Sequence, residues 1–345
     1  VGTWTFGGWS GRGGATAKGS TAIGGALATG GTSTKGGATG SGGFSAKGGT
    51  SAKGGATGSG GSSAKGGTAT SGGTTAISMG GSSAIAGSSA TSGAPKLPPI
   101  TGDCPTFATG TQTIMGLSGI SMQVGAKRSG TGSLLFYWHG TGSSASEVNM
   151  MVPDSVRQDL LAKGGIIVAF DGSLKTGGDC SGTGTFSKDD FEIADHIAAC
   201  AVRDHGIDPR RIYTTGCSAG GLQAGCMAML RSSYIAASVP NSGGEVSRQP
   251  IEDSSHVPAV MTMHGGSSDR VVVSFATTSA TFDAHVEDLG GFAVNCNHGG
   301  GHCAAPSALY VAAWTFMQEH PFGVTPEPYA SGVPSVFPTY CALYE

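Results

Sequence analysis

The stretch Arg211-Ile212-Tyr213-Thr214-Thr215-Gly216-Cys217-Ser218-Ala219-Gly220-Gly221 narrows the possible folds more than any other part of the chain. It is a short apolar strand running directly into Gly-x-Ser-x-Gly. A serine on a sharp strand-to-helix turn has a strained backbone, so its neighbours must be small. Gly216, Ala219 and Gly220 meet that demand. A helix starting near Gly221-Leu222-Gln223 would aim its free N–H groups and positive dipole end at the serine. Ser218 therefore reads as a nucleophile whose helix helps to hold a developing oxyanion. With 63 glycines in the chain, the pattern alone also fits an ordinary tight turn, and the downstream residues decide between the two.

The flanking sequence supplies the rest of an α/β pattern. Ser133-Leu134-Leu135-Phe136-Tyr137-Trp138 is a continuous apolar run ending at His139-Gly140-Thr141-Gly142, as expected of a buried parallel strand and the loop at its carboxyl end. A helix is predicted over 155–163, a strand over 165–170 ending at Asp171, and a helix over 189–203 with Phe191, Ile193, Ala194, Ile197 and Ala198 near helical spacing. After the Ser218 turn come short strands at 237–240 and 257–264, a helix over 274–289, an apolar piece at 292–294 and a last helix over 308–319. Strands alternating with helices imply a mostly parallel sheet covered on both faces. Ligands of such sheets bind beyond the carboxyl ends of the strands.

Residues 11–94 have a different character. They are mostly Gly, Ser, Thr and Ala with scattered Lys, and the segment 36–50 recurs at 54–68 with one change, Phe44 to Ser62. A solenoid repeat must bury apolar positions against its neighbours, and this one has none. Too little apolar surface is available to offset the entropy of ordering it, so a disordered arm is expected. About eighty such residues span roughly 50 Å as a coil, and their Ser and Thr are open to glycosylation. Ahead of the arm, residues 1–10 carry Trp4, Phe6 and Trp9, read as a short aromatic stub. Ala94-Pro95-Lys96-Leu97-Pro98-Pro99 closes the arm and leaves 95–345 as one folded domain. The start at Val1, without the charged start and apolar core of a signal peptide, reads as a processed or truncated end.

A net charge of -3 offers no basic patch for nucleic acid, and no apolar run is long enough to span a bilayer. A monomer is expected. All eight cysteines lie in the 95–345 part, an even count that points to an oxidising compartment and hence export. Their pairing is not legible from sequence, although a Cys296–Cys303 bridge and a Cys217–Cys180 bridge are two expectations.

Acyl transfer on serine needs a base to take the hydroxyl proton, an acid to orient that base, and donors for the oxyanion. Asp269 follows the strand Val260-Met261-Thr262-Met263 within His264-Gly265-Gly266-Ser267-Ser268-Asp269, and His302 lies in Asn297-His298-Gly299-Gly300-Gly301-His302-Cys303. The order Ser, Asp, His is that of the α/β-hydrolase triad. From about Leu134 to Phe322 the chain resembles the secreted esterases that include polyhydroxybutyrate depolymerases, feruloyl esterases and acetylxylan esterases. The matching pieces are His139-Gly140, Gly206-Ile207-Asp208-Pro209-Arg210-Arg211-Ile212-Tyr213 leading into Gly216 to Gly221, His264-Gly265 with Asp269, Gly299-Gly300-Gly301-His302, Trp314-Thr315-Phe316 and His320-Pro321. Arg270-Val271-Val272-Val273 departs from the proline many relatives carry after the acid, and the segment before His302 is shortened and flanked by cysteines.

The resemblance implies an α/β-hydrolase fold, Ser218 as nucleophile, His302 as base, Asp269 as orienter and the Thr141 and Ala219 N–H groups as oxyanion hole. It implies no metal or organic cofactor. The substrate it implies is a polymer-borne ester, on plant cell-wall polysaccharide or polyhydroxyalkanoate. Alternatives remain among the residues. His298 has the same strand behind it as His302, and Asp171 also follows a strand. Cys296, His298, His302 and Cys303 have the ligand types of a zinc site. His139 and His264 read as structural hydrogen-bond partners. An inactive surface-displayed binder, or a peptidase on the same fold, are the rival functions.

Overall fold

The computed structural model describes residues 93–345. The aromatic stub 1–10, and the arm 11–94 except for its last two residues, lie outside the described residues. The domain is a nine-stranded sheet in the order β1-β2-β4-β3-β5-β6-β7-β8-β9. Its strands are β1 (Gly110–Ile114), β2 (Leu117–Val124), β3 (Gly132–Trp138), β4 (Ile166–Phe170), β5 (Ile207–Cys217), β6 (Ala237–Asn241), β7 (Ala259–His264), β8 (Ala293–Asn297) and β9 (Cys341–Leu343). The six from β4 to β8 run parallel, while β1, β2 and β9 are antiparallel at the two edges. The helices are α1 (Val148–Met151), α2 (Asp154–Ala162), α3 (Asp190–Cys200), α4 (Ala219–Leu230), α5 (Phe275–Asp288) and α6 (Ser307–Glu319). This is the α/β-hydrolase arrangement expected from the sequence.

The continuous apolar runs of β3 and β4 follow from burial on both faces. Leu134, Phe136 and Trp138 face a layer containing Phe191 of α3, Met227 of α4 and Phe282 of α5. Leu135 and Tyr137 face the opposite layer, with Val148 of α1, Leu160 of α2 and Phe316 of α6. Trp138 stacks on Phe170 at 4.2 Å and donates its indole N–H to Thr214 Oγ1 at 3.1 Å, so the end of β3 is fixed to both neighbouring strands. The chain order reverses between β3 and β5, which opens a crevice at their carboxyl ends. Gly140 and Ser218 follow those two ends.

Every helix and strand read from the sequence is present within a few residues. The antiparallel strands β1, β2 and β9, of which β1 and β9 form the two edges, are not in that reading. Edge strands expose alternate residues and carry no continuous apolar run, and β1 is the polar Gly110-Thr111-Gln112-Thr113-Ile114. β9 has three residues and is held to β8 by the Cys296–Cys341 disulfide. The other bridges are Cys104–Cys200, Cys180–Cys226 and Cys217–Cys303. The expected Cys296–Cys303 and Cys217–Cys180 pairings are therefore both corrected. Cys296 points across the sheet ladder to its partner in β9, and Cys180 anchors the loop after β4 to α4. No helix among the described residues is long and apolar enough to cross a membrane.

One buried acid gives the fold a pH dependence. Asp283 of α5 is fully buried, and its Oδ2 accepts from Thr262 Oγ1 at 2.8 Å and Asn295 Nδ2 at 2.7 Å. Its Oδ1 has no partner among the described residues. Burial pushes the carboxyl up to about 7 although the hydrogen bonds from Asn295 and Thr262 oppose it. A folded-state value above the unfolded one means a contribution that is complete below about pH 4 and is lost as the pH rises through 7. Urea unfolding of the wild type should lose stability on this account, on the order of a few kcal/mol, between pH 5 and 8. Asp283→Asn should flatten that difference. An equally steep loss in the variant would show that another group is responsible.

Candidate active site

Ser218 is the residue between β5 and α4, with φ 58° and ψ -120°. A non-glycine residue there costs about 1–3 kcal/mol and persists only where the surroundings hold it. Its N–H donates to the Asn241 carbonyl at 3.1 Å, and its own carbonyl accepts the Leu222 N–H at 2.9 Å. The small flanking residues have a steric reason. A Cβ added to Gly220 would lie 1.9 Å from the Trp138 carbonyl oxygen, and one on Gly216 would lie 2.4 Å from the same atom. The turn is thus packed against the end of β3. Ser218 is half-buried between the buried Cys217 and Ala219.

His302 and Asp269 are in direct contact. His302 Nδ1 donates to Asp269 Oδ1 at 2.8 Å, and the Asp269 side chain is fully buried. Asp269 Oδ2 accepts from the Gly265 N–H at 2.9 Å and from Ser242 Oγ at 2.7 Å. Burial by itself would raise this carboxyl, but the hydrogen bonds from His302, Gly265 and Ser242 outweigh it and hold Asp269 below the ordinary aspartate range. An ionised Asp269 keeps the His302 proton on Nδ1 and leaves Nε2 as the basic nitrogen. The imidazole packs against Phe275 with ring centroids 4.7 Å apart, and 29% of its side chain stays exposed.

A covalent link joins this pair to the serine. The Cys217–Cys303 disulfide connects the residue before Ser218 to the residue after His302, with Cα atoms 5.9 Å apart. Ser242 adds a second link, because its Oγ donates to Asp269 and accepts the Cys303 N–H at 2.8 Å. Ser242 was not singled out in the sequence. Its only signal is its position after β6, in Asn241-Ser242-Gly243-Gly244, beyond the carboxyl end of a core strand.

The oxyanion candidates also lie at the crevice. Ala219 is the first residue of α4, where its N–H has no helical acceptor. A Cβ added to Gly140 would lie 3.4 Å from Ser218 Cβ, which places the loop after β3 against the nucleophile. The Thr141 N–H donates to no group among the described residues. Glu147, which the sequence reading also passed over, accepts the Gly140 N–H at 3.0 Å.

The alternatives are otherwise engaged. His298 Nδ1 accepts the Gly300 N–H, burial lowers its pKa, and the Asp269 bond goes to His302 instead. Asp171 Oδ1 accepts the Ala145 N–H at 2.9 Å and so braces the loop after β3. His139 Nδ1 bonds the Gly140 carbonyl, and His264 bonds Asn295 and the Gly266 N–H, both as the expected structural partners. Cys296 and Cys303 are consumed in separate disulfides, which removes the thiolates of the zinc alternative.

No protein-family model matches the chain, and no curated protein matches it. Among solved structures it is similar to native pOPH, with a TM-score of 0.53 and 15% identity over 70% of this chain and 96% of pOPH. Native sOPH gives 0.52 and 17% over 70% and 98%. A pOPH variant in complex with DMSO gives 0.56 and 14% over 70% and 95%. At such identities the likeness shows the fold.

The packing of the Ser218 turn makes a direct prediction. Gly220→Ala forces a methyl into the Trp138 carbonyl and should destabilise the domain by about 3 kcal/mol or more in urea unfolding. A loss below about 1 kcal/mol would mean that the turn and β3 are not in this contact.

Proposed function

We propose that the chain is an exported serine carboxylic-ester hydrolase that acts on polymer-borne esters through an acyl-enzyme. The observation that carries this reading is the buried Asp269–His302 hydrogen bond tied by the Cys217–Cys303 disulfide to the strained turn bearing Ser218. In this scheme His302 Nε2 takes the Ser218 hydroxyl proton as Oγ attacks the ester carbonyl. Negative charge collects on the former carbonyl oxygen, where the Thr141 and Ala219 N–H groups receive it. Collapse expels the alcohol, which takes the proton from His302. Water then attacks the acyl-enzyme by the same route and releases the acid.

Four disulfides support an oxidising destination. The Gly/Ser/Thr-rich repeat composition of the sequence before the domain, which is the composition of a tether, supports a polymeric substrate, because tethering lets a catalytic domain sweep a surface. Polysaccharide-bound feruloyl or acetyl esters and polyhydroxyalkanoates are the substrates the sequence resemblance suggests. The intact acid–base pair argues against an inactive binding domain.

The test is hydrolysis of p-nitrophenyl acetate by the parent chain and its Ser218→Ala variant, with methyl ferulate, acetylated xylan and a polyhydroxybutyrate film assayed beside it. Activity should fall about 10⁴-fold or more in Ser218→Ala. Equal activity in both, or none in a folded and oxidised parent, would sink the reading. The Cys217→Ala/Cys303→Ala double variant should lose about 10- to 100-fold in kcat with KM little changed, because it loosens the base relative to the nucleophile. An unchanged kcat would show that the remaining packing positions His302 without the bridge.

A further inference from the structure

Glu147 has a buried carboxyl group beside the loop that carries the proposed oxyanion donors. Only 5% of the residue is exposed, and it sits in the short 3-10 turn Ala145–Glu147 that leads into α1. Its Oε1 accepts two hydrogen bonds, from the Tyr137 hydroxyl at 2.8 Å and from the Gly140 N–H at 3.0 Å. Its Oε2 lies 3.6 Å from the point where a Gly140 Cβ would sit, and Ser218 Cβ lies 3.4 Å from that same point. Glu147 Oε2 is therefore no more than about 7 Å from Ser218 Cβ. A buried carboxyl group so near the proposed oxyanion site needs a structural reason for being there.

The hydrogen bonds identify that reason. The loop after β3 presents two successive N–H groups beside Ser218, those of Gly140 and Thr141. Glu147 engages the first and leaves the second free. The same loop is closed by Ser143 N–H to the Gly140 carbonyl at 3.0 Å and braced by Asp171 at Ala145. Tyr137 belongs to β3, so the Glu147 carboxylate is itself held by the rigid sheet. We propose that Glu147 is a positioning residue that, by binding the Gly140 N–H, turns the Gly140–Thr141 segment so that the Thr141 N–H serves the oxyanion. This assignment rests on the serine-esterase reading. It gives Glu147 a role as a hydrogen-bond acceptor rather than as a charge, so glutamine should replace it and alanine should not.

The experiment compares Glu147→Ala, Glu147→Gln and Tyr137→Phe with the parent on p-nitrophenyl acetate, and measures inhibition by a trifluoromethyl ketone that forms a tetrahedral adduct with serine. Glu147→Ala should lower kcat about 10- to 100-fold with KM within about twofold, and should weaken the ketone in parallel with kcat/KM. Glu147→Gln, which keeps an acceptor oxygen, should stay within about threefold of the parent, and Tyr137→Phe should lie between the two. Should the alanine variant not fold, the glutamine and phenylalanine variants still carry the comparison. The assignment is overturned if kcat of folded Glu147→Ala matches the parent, if Glu147→Gln fares as badly as Glu147→Ala, or if ketone affinity is untouched while kcat falls. Ser218→Ala runs in the same assay. Residual activity there would fault the esterase reading itself, whereas an inert Ser218→Ala beside a fully active Glu147→Ala would fault only the role of Glu147.

Discussion

The contact between the end of β3 and the turn after β5 is the constraint from which the site follows. Trp138 and Gly216 are register partners in the sheet, and the Trp138 carbonyl fills the space that side chains on Gly216 and Gly220 would need. This close approach lets β5 turn sharply into α4 and holds Ser218 at a positive φ. It also brings the loop after β3 to the same spot, since His139 and Gly140 continue directly from Trp138. One backbone contact thus accounts for both the strained serine and its nearest N–H donors. The strain, on the order of 1–3 kcal/mol, is small against the burial of Trp138, Phe170 and Phe191 around it.

Asp269 and His302 are held by a different kind of device. Their loops follow β7 and β8 and contain many glycines, so the loop sequences offer little rigidity of their own. Rigidity comes from cross-links that converge on the pair. The Cys217–Cys303 disulfide fixes the His302 loop to the serine turn, and Ser242 bonds Asp269 and the His302 loop together. Phe275 packs the imidazole from α5, and its N–H bonds the Asp269 carbonyl at 3.0 Å. These ties hold a short glycine-rich loop in place, which gives the cysteine flanking His302 a physical reason.

Much of this was legible in the sequence because the core strands and the serine turn are governed by local rules. Continuous apolar runs reveal strands buried on both faces, most plainly in β3 and β4. Ser218, Asp269 and His302 follow core strands, so topology marks them as candidates for one site. The outer antiparallel strands β1, β2 and β9 could not be read in the same way, because none carries a continuous apolar run; β1 and β9 pair on one side only, and β2 buries alternate residues. Disulfide partners were illegible for another reason. Cys217 and Cys303 are 86 residues apart, and only the folded sheet brings them together. Ser242 and Glu147 are ordinary residue types that matter through two hydrogen bonds each, and no spacing rule marks such positions.

The most direct test of the account is to react the folded chain with an alkyl fluorophosphonate and locate the adduct by intact mass and peptide mapping. A single adduct on Ser218 is predicted, and its formation should be strongly slowed in His302→Ala. An adduct on another residue, or an unreactive Ser218 in the oxidised and folded chain, would contradict the claim that this turn presents an activated nucleophile.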